Sequence, residues 1–187
     1  MIGLRPFTKK HFKQLIDWIP SESFMIQWSG SSFTYPLTPR QLKHYIRYAN
    51  EEGATTHAFA VVNEQTEEVI GHISLAYIDY YNKTGRIGRV LLKEEERGKG
   101  YCYQMFEKTL TFGFEELQLH RISLGVFDFN VKAIQSYERI GFVREGLMRD
   151  VKLVDGQYWN IIEMSMLENE WMNRSQRYDE ELADKIN

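Results

Sequence analysis

The segment "KEEERGKGYCYQMFEKTLTFGFEEL", residues 93–117, decides the fold of this chain. It follows the apolar run Val90-Leu91-Leu92, places two glycines around Lys99, and continues with apolar side chains at helical spacing. This order predicts a strand, a glycine turn and a helix. Unpaired N–H groups at a helix N-terminus bind anions, and glycines let a phosphate approach them closely. The segment therefore predicts an anion site, with a plain strand-to-helix turn as the alternative.

Length and composition limit what the chain can be. Its 187 residues are 43% hydrophobic and carry a net charge of -3, which favours one globular domain and disfavours nucleic acid as a partner. The one cysteine, Cys102, excludes an internal disulfide framework, and no apolar run is long enough to span a membrane. The N-terminus lacks the pattern of a signal peptide. We therefore expect a reduced, cytoplasmic protein with a domain at residues 1–167 and a polar tail or helix at 168–187.

Apolar spacing and turn residues predict a mixture of strands and helices. Strands are expected at 2–5, 57–62, 69–79, 86–92, 121–127, 147–154 and 157–167, and helices after Thr8, after Thr38, after Gly100 and over 131–140. The strands at 57–92 should form an antiparallel meander, and the last two a hairpin around Asp155-Gly156. Residues 21–37 mix Ser and Gly with aromatic side chains and are expected to form a covering loop.

A second motif, "NVKAIQSYERIGF" at residues 130–142, supports a ligand at the glycine turn. Asn130, Ala133 and Tyr137 share one helical face, and Gly141 ends the helix. A small side chain between two polar ones suggests close packing against a ligand, although Tyr137 alone would suit a core position as well.

Two better-known phosphate loops do not fit the glycine turn. A P-loop needs Ser or Thr after Gly-Lys, whereas Gly100 follows Lys99. The dinucleotide-binding fingerprint needs a third glycine where this chain has Tyr103.

Taken together, the two motifs resemble those of the GNAT superfamily of N-acetyltransferases over residues 1–167. The first matches through Arg97, Gly100 and Cys102, and the second through Asn130, Ala133, Tyr137 and Gly141-Phe142. The segment "EGLMRDVKLVDGQYWNIIEMSML", residues 145–167, is similar to the branch with ribosomal-protein N-terminal acetyltransferases and spermidine acetyltransferases. The resemblance implies an α+β fold: a twisted, mostly antiparallel sheet with a splayed strand pair, flanked by about four helices.

The resemblance also implies a site for acetyl-coenzyme A (acetyl-CoA) as cosubstrate, in the V between the splayed strands. The pyrophosphate would be held by the turn residues Arg97, Gly98, Lys99, Gly100, Tyr101 and Cys102. The pantetheine would pair with the backbone near Leu91 and Leu92, as an added strand would. Asn130 and Ala133 would lie along the cofactor arm, and Tyr137 would protonate the departing thiolate. Cys102 departs from the family pattern because it is larger than the usual Gly or Ala.

The acceptor half of the reaction is less defined by the sequence. The resemblance implies an amine on a peptide N-terminus, a polyamine or a small metabolite, with no metal. His72, Asp79 and Glu145 are candidates for the base that an aliphatic ammonium needs. Aromatic side chains could wall the acceptor channel or form core or homodimer contacts: Trp28, Phe33, Tyr35 and Tyr158-Trp159. The alternative function is a non-catalytic module that binds acyl-CoA or a protein partner.

Overall fold

The computed structural model describes residues 1–174, in which seven strands form one sheet. The strands are β1 Ile2–Pro6, β2 Thr56–Asn63, β3 Val69–Asp79, β4 Thr84–Leu92, β5 Arg121–Phe127, β6 Val143–Val154 and β7 Gln157–Leu167. Their order is β1-β2-β3-β4-β5-β7-β6. The β4–β5 pair is parallel and the other neighbouring pairs are antiparallel. The predicted mixed, mostly antiparallel sheet is therefore confirmed.

Within residues 1–167, five α-helices flank this sheet, close to the four expected. They are α1 Phe12–Asp17, α2 Glu22–Ser29, α3 Pro39–Tyr45, α4 Tyr101–Thr111 and α5 Val131–Ile140. Short 3₁₀ turns precede α1 and α4, and a π-helical turn, Phe112–Glu116, extends α4. Helices α1–α3 pack over Ala58 and Ala60 of β2, whereas α4 and α5 pack with Phe59 and Val61 on the other face. Because strand side chains alternate between faces, one sheet separates two cores.

The expectation of a loop over residues 21–37 is wrong, because its first half forms α2. The Ser21 hydroxyl accepts a hydrogen bond from the Phe24 amide at 3.2 Å and caps the helix. Met25 and Trp28, three residues apart, are both buried against the core. Of the Ser and Gly residues that suggested a loop, Ser21 caps the helix, Ser23 and Ser29 lie within it, and the others follow it. Two boundaries also differ. The apolar spacing after Thr38 continues through Ala49 and predicts a longer helix, whereas α3 ends at Tyr45, and β6 begins at Val143 rather than Leu147.

The two central strands separate after a short contact. β4 and β5 pair through Thr84–Arg121, Gly85–Ile122 and Arg86–Ser123 and then diverge. The β3–β4 register shifts between His72–Leu91 and Ser74–Gly88, so β4 carries a bulge there, in which Arg89 has a φ of 51°. The predicted splayed pair is confirmed, and it opens a cleft through the sheet.

The chain after β7 turns back onto the molecule. Residues 168–174 are helical, Trp171 stacks on Phe114 at 5.8 Å, and Arg174 donates to the Ile140 carbonyl at 2.7 Å. The rest of the predicted tail, 175–187, lies outside the described residues. No helix within residues 1–174 is both long and apolar enough to cross a membrane. The domain boundary at residue 167 stays a prediction.

Candidate active site

A cleft of about 1220 Å³ lies between the diverging strands. Its sides are residues 86–92 of β4 and 124–127 of β5. The glycine turn before α4 and one face of α5 line one part, and α2 with the loop after it lines another. The cleft therefore joins the α4–α5 face of the sheet to the α1–α3 face. It places the two sequence motifs on one surface.

The N-terminus of α4 provides free backbone donors to this cleft. Gly98 and Gly100 have φ values of 78° and 79°, in the left-handed region that favours glycine. Gly100 is the N-cap residue and has no side chain to occupy the first helical N–H groups. No atom lies within 4 Å of where a Cβ on either glycine would stand. An anion can therefore approach these N–H groups closely, as the sequence predicted.

The charged side chains of the turn have partners of their own. Arg97 donates through Nε to the Leu92 carbonyl at 3.1 Å, which ties the turn to the end of β4. Lys99 pairs through Nζ with Glu96 at 3.0 Å, and the Glu96 side chain is only 17% exposed. A run of charges is usually solvated, which predicts that the carboxylates of Glu94, Glu95 and Glu96 point to solvent. This prediction is wrong for Glu96, because Lys99 holds it, whereas Glu94 and Glu95 are exposed.

The α5 wall is formed by the second motif. Asn130 caps α5, and its Oδ1 accepts from the Ala133 amide at 3.3 Å. Tyr137 is buried against Phe106, with ring centroids 4.9 Å apart. Burial raises the pKa of the Tyr137 hydroxyl, with a smaller contribution from the neighbouring Cys102, so the hydroxyl stays protonated at neutral pH. Burial also raises the pKa of Cys102 to about 11, which keeps it a thiol with little reactivity.

Most of the predicted cosubstrate residues come together here. The cleft lining includes Leu91, Leu92, Arg97, Gly98, Gly100, Cys102, Asn130, Ala133 and Tyr137. Lys99 and Tyr101 do not belong to it. Lys99 is held by Glu96, and the Tyr101 hydroxyl accepts from Asn63 at 3.4 Å on the side of β2. Their side chains point away because successive residues at a helix start face different directions.

The three candidate bases lie outside the cleft lining. His72 is buried, and its Nδ1 lies 2.8 Å from the Arg89 carbonyl; burial lowers its pKa to about 4. Asp79 accepts hydrogen bonds from the Asn82 and Tyr81 amides, and those from Asn82 contribute most to lowering its pKa. Glu145 is held by Arg121 and Ser165. Within residues 1–174 the cleft lining contains no Asp, Glu or His.

An ion pair that the sequence reading missed bridges the splayed strands. Arg86 of β4 donates to both carboxylate oxygens of Glu163 on β7, at 2.7 and 2.8 Å. The pair crosses β5 at Gly125, where a Cβ would stand 2.4 Å from Arg86 Nη2. The pair therefore couples the two sides of the cleft, and Gly125 leaves room for it. An isolated glycine inside a strand is the signal for such a close approach.

Of the aromatic side chains predicted to wall an acceptor channel, two line a cavity. Trp28 lines the cleft and stacks on Phe33 at 5.6 Å, and Phe33 lines an adjoining pocket. Tyr35 and Tyr158 are exposed and belong to neither lining. Trp159 packs against Phe127 at 5.0 Å instead. The proposed residues that line a cavity therefore come from α2 and the loop after it, not from the last hairpin, and the acceptor wall itself stays a prediction.

The model of the acetyltransferase (GNAT) domain matches residues 2–143. The chain belongs to the GNAT acetyltransferase family. The resemblance inferred from the sequence is thereby confirmed. An uncharacterised N-acetyltransferase, p20, of Bacillus licheniformis is 30% identical to this GNAT chain over 74% of its length and 77% of the relative's.

Two other curated relatives carry more specific names. A spermidine N(1)-acetyltransferase of Vibrio cholerae is 31% identical over 62% of this GNAT chain, and a putative ribosomal N-acetyltransferase of Bacillus subtilis is 39% identical over 54%. The matched segments span 66% and 55% of those relatives, so the chain covers between about half and two thirds of their length.

Solved structures match over more of the chain. A point mutant of the spermidine N-acetyltransferase SpeG from Vibrio cholerae, 25% identical, has a TM-score of 0.78 and covers 92% of this GNAT chain and 99% of its own. The Vibrio cholerae enzyme in complex with CoA and spermine is 24% identical, with a TM-score of 0.79. The match covers 91% of this GNAT chain and 98% of the Vibrio cholerae chain. The predicted GNAT fold is thereby confirmed.

Proposed function

We propose that this protein transfers the acetyl group of acetyl-CoA to a primary amine. The observation that carries the proposal is the convergence, in one cleft, of the Gly100 helix start, the separated edge of β4 and Tyr137. These features match the three parts of the cosubstrate: a pyrophosphate, an amide-bearing arm and a thioester. The family match supports acetyl-CoA as the donor.

The binding half of the function follows from backbone groups. The free N–H groups at the start of α4 would hold the pyrophosphate. Past Arg86, β5 no longer occupies one edge of β4, so the backbone near Leu91 and Leu92 would pair with the pantetheine amides. Asn130 and the small Ala133 would lie along the arm. Binding here rests on groups that the fold fixes before the ligand arrives, which reduces the entropy lost on binding.

The transfer step needs few protein groups. The neutral amine attacks the thioester carbonyl, a C–N bond forms, and the C–S bond breaks as the thiolate leaves. Tyr137 would donate its proton to the sulfur and regain one from solvent. The proton lost by the amine would pass to solvent water, since the described cleft lining offers no carboxylate or imidazole.

Two classes of amine are candidates for the acceptor in this proposal. The spermidine N-acetyltransferase relatives support a polyamine, and the putative ribosomal N-acetyltransferase relative supports an amine of the ribosome, such as a protein N-terminus.

A turnover assay tests the proposed function. The protein is mixed with acetyl-CoA and a panel of N-terminal peptides, spermidine and small amines, and free thiol is measured together with the mass of the acetylated product. We expect thiol release that requires an amine, with one acetyl group added per thiol released. Stabilisation by CoA without acetylation of any amine would favour the non-catalytic acyl-CoA-binding alternative.

A further inference from the structure

Arg89 holds an unusual position in the acceptor half of the cleft. It sits in the β4 bulge, and its guanidinium lies 4.5 Å from the centroid of the Tyr45 ring and 5.6 Å from that of Phe33. Such contacts with aromatic faces fix the plane of a guanidinium and leave the N–H groups of its terminal nitrogens free to bond in that plane. The side chain lines both the main cleft and the pocket that adjoins it.

The charge of Arg89 has no counter-ion in the described chain. Its terminal nitrogens reach the neutral hydroxyls of Ser32 at 3.0 Å and Ser74 at 3.4 Å. Its Nε is buried without a hydrogen-bond partner, and no carboxylate in residues 1–174 forms an ion pair with it. A partly buried cation without a counter-charge lowers the free energy of unfolding, because its desolvation is not compensated. An anionic ligand group beside it would offset that cost.

The surroundings of Arg89 are also cationic. The adjoining pocket of about 380 Å³ is lined by Arg40 and His44 as well as Arg89, and by no acidic residue. Lys152 reaches across from β6 and donates to Ser31, next to the serine that Arg89 contacts. Neither Arg40 nor Lys152 forms an ion pair within the described residues. This region suits an anion and repels a second cation.

The charge of the main cleft also favours an anionic ligand. Five cationic side chains line it, and no acidic side chain of the described chain does. Arg86 is paired with Glu163, whereas the other four form no ion pair within residues 1–174: Arg89, Arg97, Lys132 and Arg139. A polyamine would bring several positive charges into this field without a carboxylate to hold them. An acceptor with a negative group would instead be attracted.

The absence of a base from the described lining also bears on the amine itself. An aliphatic ammonium with a pKa near ~10.4 is almost entirely charged at pH 7, whereas an α-amino group with a pKa of ~7.7–8.0 is already neutral in roughly a tenth of molecules. The site is therefore better matched to an amine that loses its proton to water without help.

We infer that Arg89 is an anion-binding residue of the acceptor site, and that the acceptor carries a carboxylate close to an α-amino group. This inference rests on the proposed function and names the acceptor class. The carboxylate lies against the guanidinium edge between the Tyr45 and Phe33 rings, and the amine reaches from there into the cleft towards the thioester. Both a peptide with an acidic side chain near its N-terminus and a short peptide with a free C-terminus have this chemistry.

The test compares acceptors that differ only in charge. One pair is a tetrapeptide amide with Asp at its second position and the same peptide with Asn. A second pair is a dipeptide with a free C-terminus and its amide, which separates the two sources of the carboxylate, and spermidine is the cationic comparison. We expect kcat/KM to be about 10-fold higher or more for the charged member of at least one pair, since hydrogen bonds to charged groups are among the stronger ones.

Two variants assign the preference to Arg89. Arg89→Gln should abolish the preference for the charged acceptor, and Arg89→Lys should restore part of it. The matched control is Arg47→Gln, an exposed arginine that lines neither cavity and should retain the full preference. Equal rates within both pairs, faster turnover of spermidine, or a preference that survives Arg89→Gln would overturn the inference while leaving the acetyltransferase intact.

A binding measurement keeps the inference testable if no amine turns over. Calorimetry with the N-acetylated Asp and Asn tetrapeptides and the N-acetylated dipeptide pair, in the presence of CoA, should show tighter binding of the charged member of a pair. The difference should disappear in Arg89→Gln. Absence of turnover alone would count against the proposed function, and equal binding within both pairs would count against the anion subsite.

Discussion

The two halves of the cleft offer different groups to the ligands that we propose for them. On the α4 side, the groups available to a ligand are mainly backbone N–H donors, exposed by Gly98 and Gly100. On the α2–α3 side, they are side chains, above all Arg89 between Phe33 and Tyr45. The first arrangement depends on local backbone conformation, whereas the second depends on packing between elements far apart in the chain. The proposed cosubstrate half can therefore be predicted from the sequence, whereas the proposed acceptor half can be described only from the structure.

The largest expected effect concerns Tyr137, which belongs to the cosubstrate half but contributes a side chain. Tyr137→Phe removes the hydroxyl and keeps the ring packed on Phe106. We expect kcat to fall by ~10²- to 10⁴-fold, the usual contribution of a general acid, with little change in CoA affinity. Steady-state and single-turnover kinetics measure this.

A matched control for this variant is Tyr80→Phe. The Tyr80 hydroxyl donates to the Ala54 carbonyl at 2.8 Å and lies outside the cleft lining, so its removal should leave kcat unchanged. A Tyr137→Phe enzyme whose chemical step keeps the wild-type rate would show that the tyrosine only packs. The cosubstrate half would then act through its backbone alone.

The next effect tests the backbone donors directly. CoA at a hundred times its dissociation constant should stabilise the wild-type fold by ~2.7 kcal/mol. Gly100→Val should abolish most of this, because a β-branched side chain disfavours the left-handed conformation at φ 79° and would stand where the phosphate approaches. Thermal unfolding with and without CoA gives the difference.

Gly156→Val controls for backbone strain in that experiment. Gly156 has a φ of 78° in the β6–β7 turn, away from the cleft lining, so its substitution should lower stability while preserving the CoA effect. Should Gly100→Val keep the wild-type stabilisation, the α4 N-terminus would not be the phosphate site.

The same contrast explains what the sequence could predict. The β4 strand, the glycine turn and the start of α4 follow from apolar runs, positive-φ glycines and helix spacing within residues 86–111. The bulge at Arg89 and the Arg86–Glu163 pair across Gly125 depend on how β3, β4, β5 and β7 register with one another. Local sequence patterns do not predict how these strands register with one another. Helix α2 was missed for a simpler reason, because the serines and the glycine of residues 21–32 outweighed the Met25–Trp28 spacing.

The stability of the fold around the acceptor half should also depend on pH, through the buried His72, and this effect is smaller. Its pKa is lowered from 6.5 to about 4 in the folded protein, chiefly by burial. Between these values the unfolded chain binds a proton that the folded chain does not, so stability is complete above pH 6.5 and declines as pH falls towards 4. At roughly 1.4 kcal/mol per pH unit, the loss is about 2 kcal/mol at pH 5.

Denaturant unfolding of the wild type and His72→Phe between pH 4 and 8 measures this loss. The variant should be less stable at pH 7, since the hydrogen bond to the Arg89 carbonyl is lost, but its stability should depend less on pH. A weaker slope should persist from His57, whose pKa is also lowered by burial. Parallel pH profiles for the two proteins would show that His72 is not the titrating group.

The smallest expected effect separates side-chain charge from backbone donors at the glycine turn. Lys99 is half-exposed and pairs with Glu96 rather than lining the cleft. Lys99→Gln therefore removes little direct attraction for the cosubstrate but leaves Glu96 without its partner near the phosphate site. We expect the KM for acetyl-CoA to rise by about threefold, in line with the worth of an exposed ion pair, and less at high ionic strength. Because the cause is the uncovered carboxylate, Glu96→Gln in the same protein should restore the wild-type KM. A loss that persists in the double variant, or exceeds tenfold, would mean that Lys99 binds the phosphate itself, and the cosubstrate half would then depend on side-chain charge as the acceptor half does.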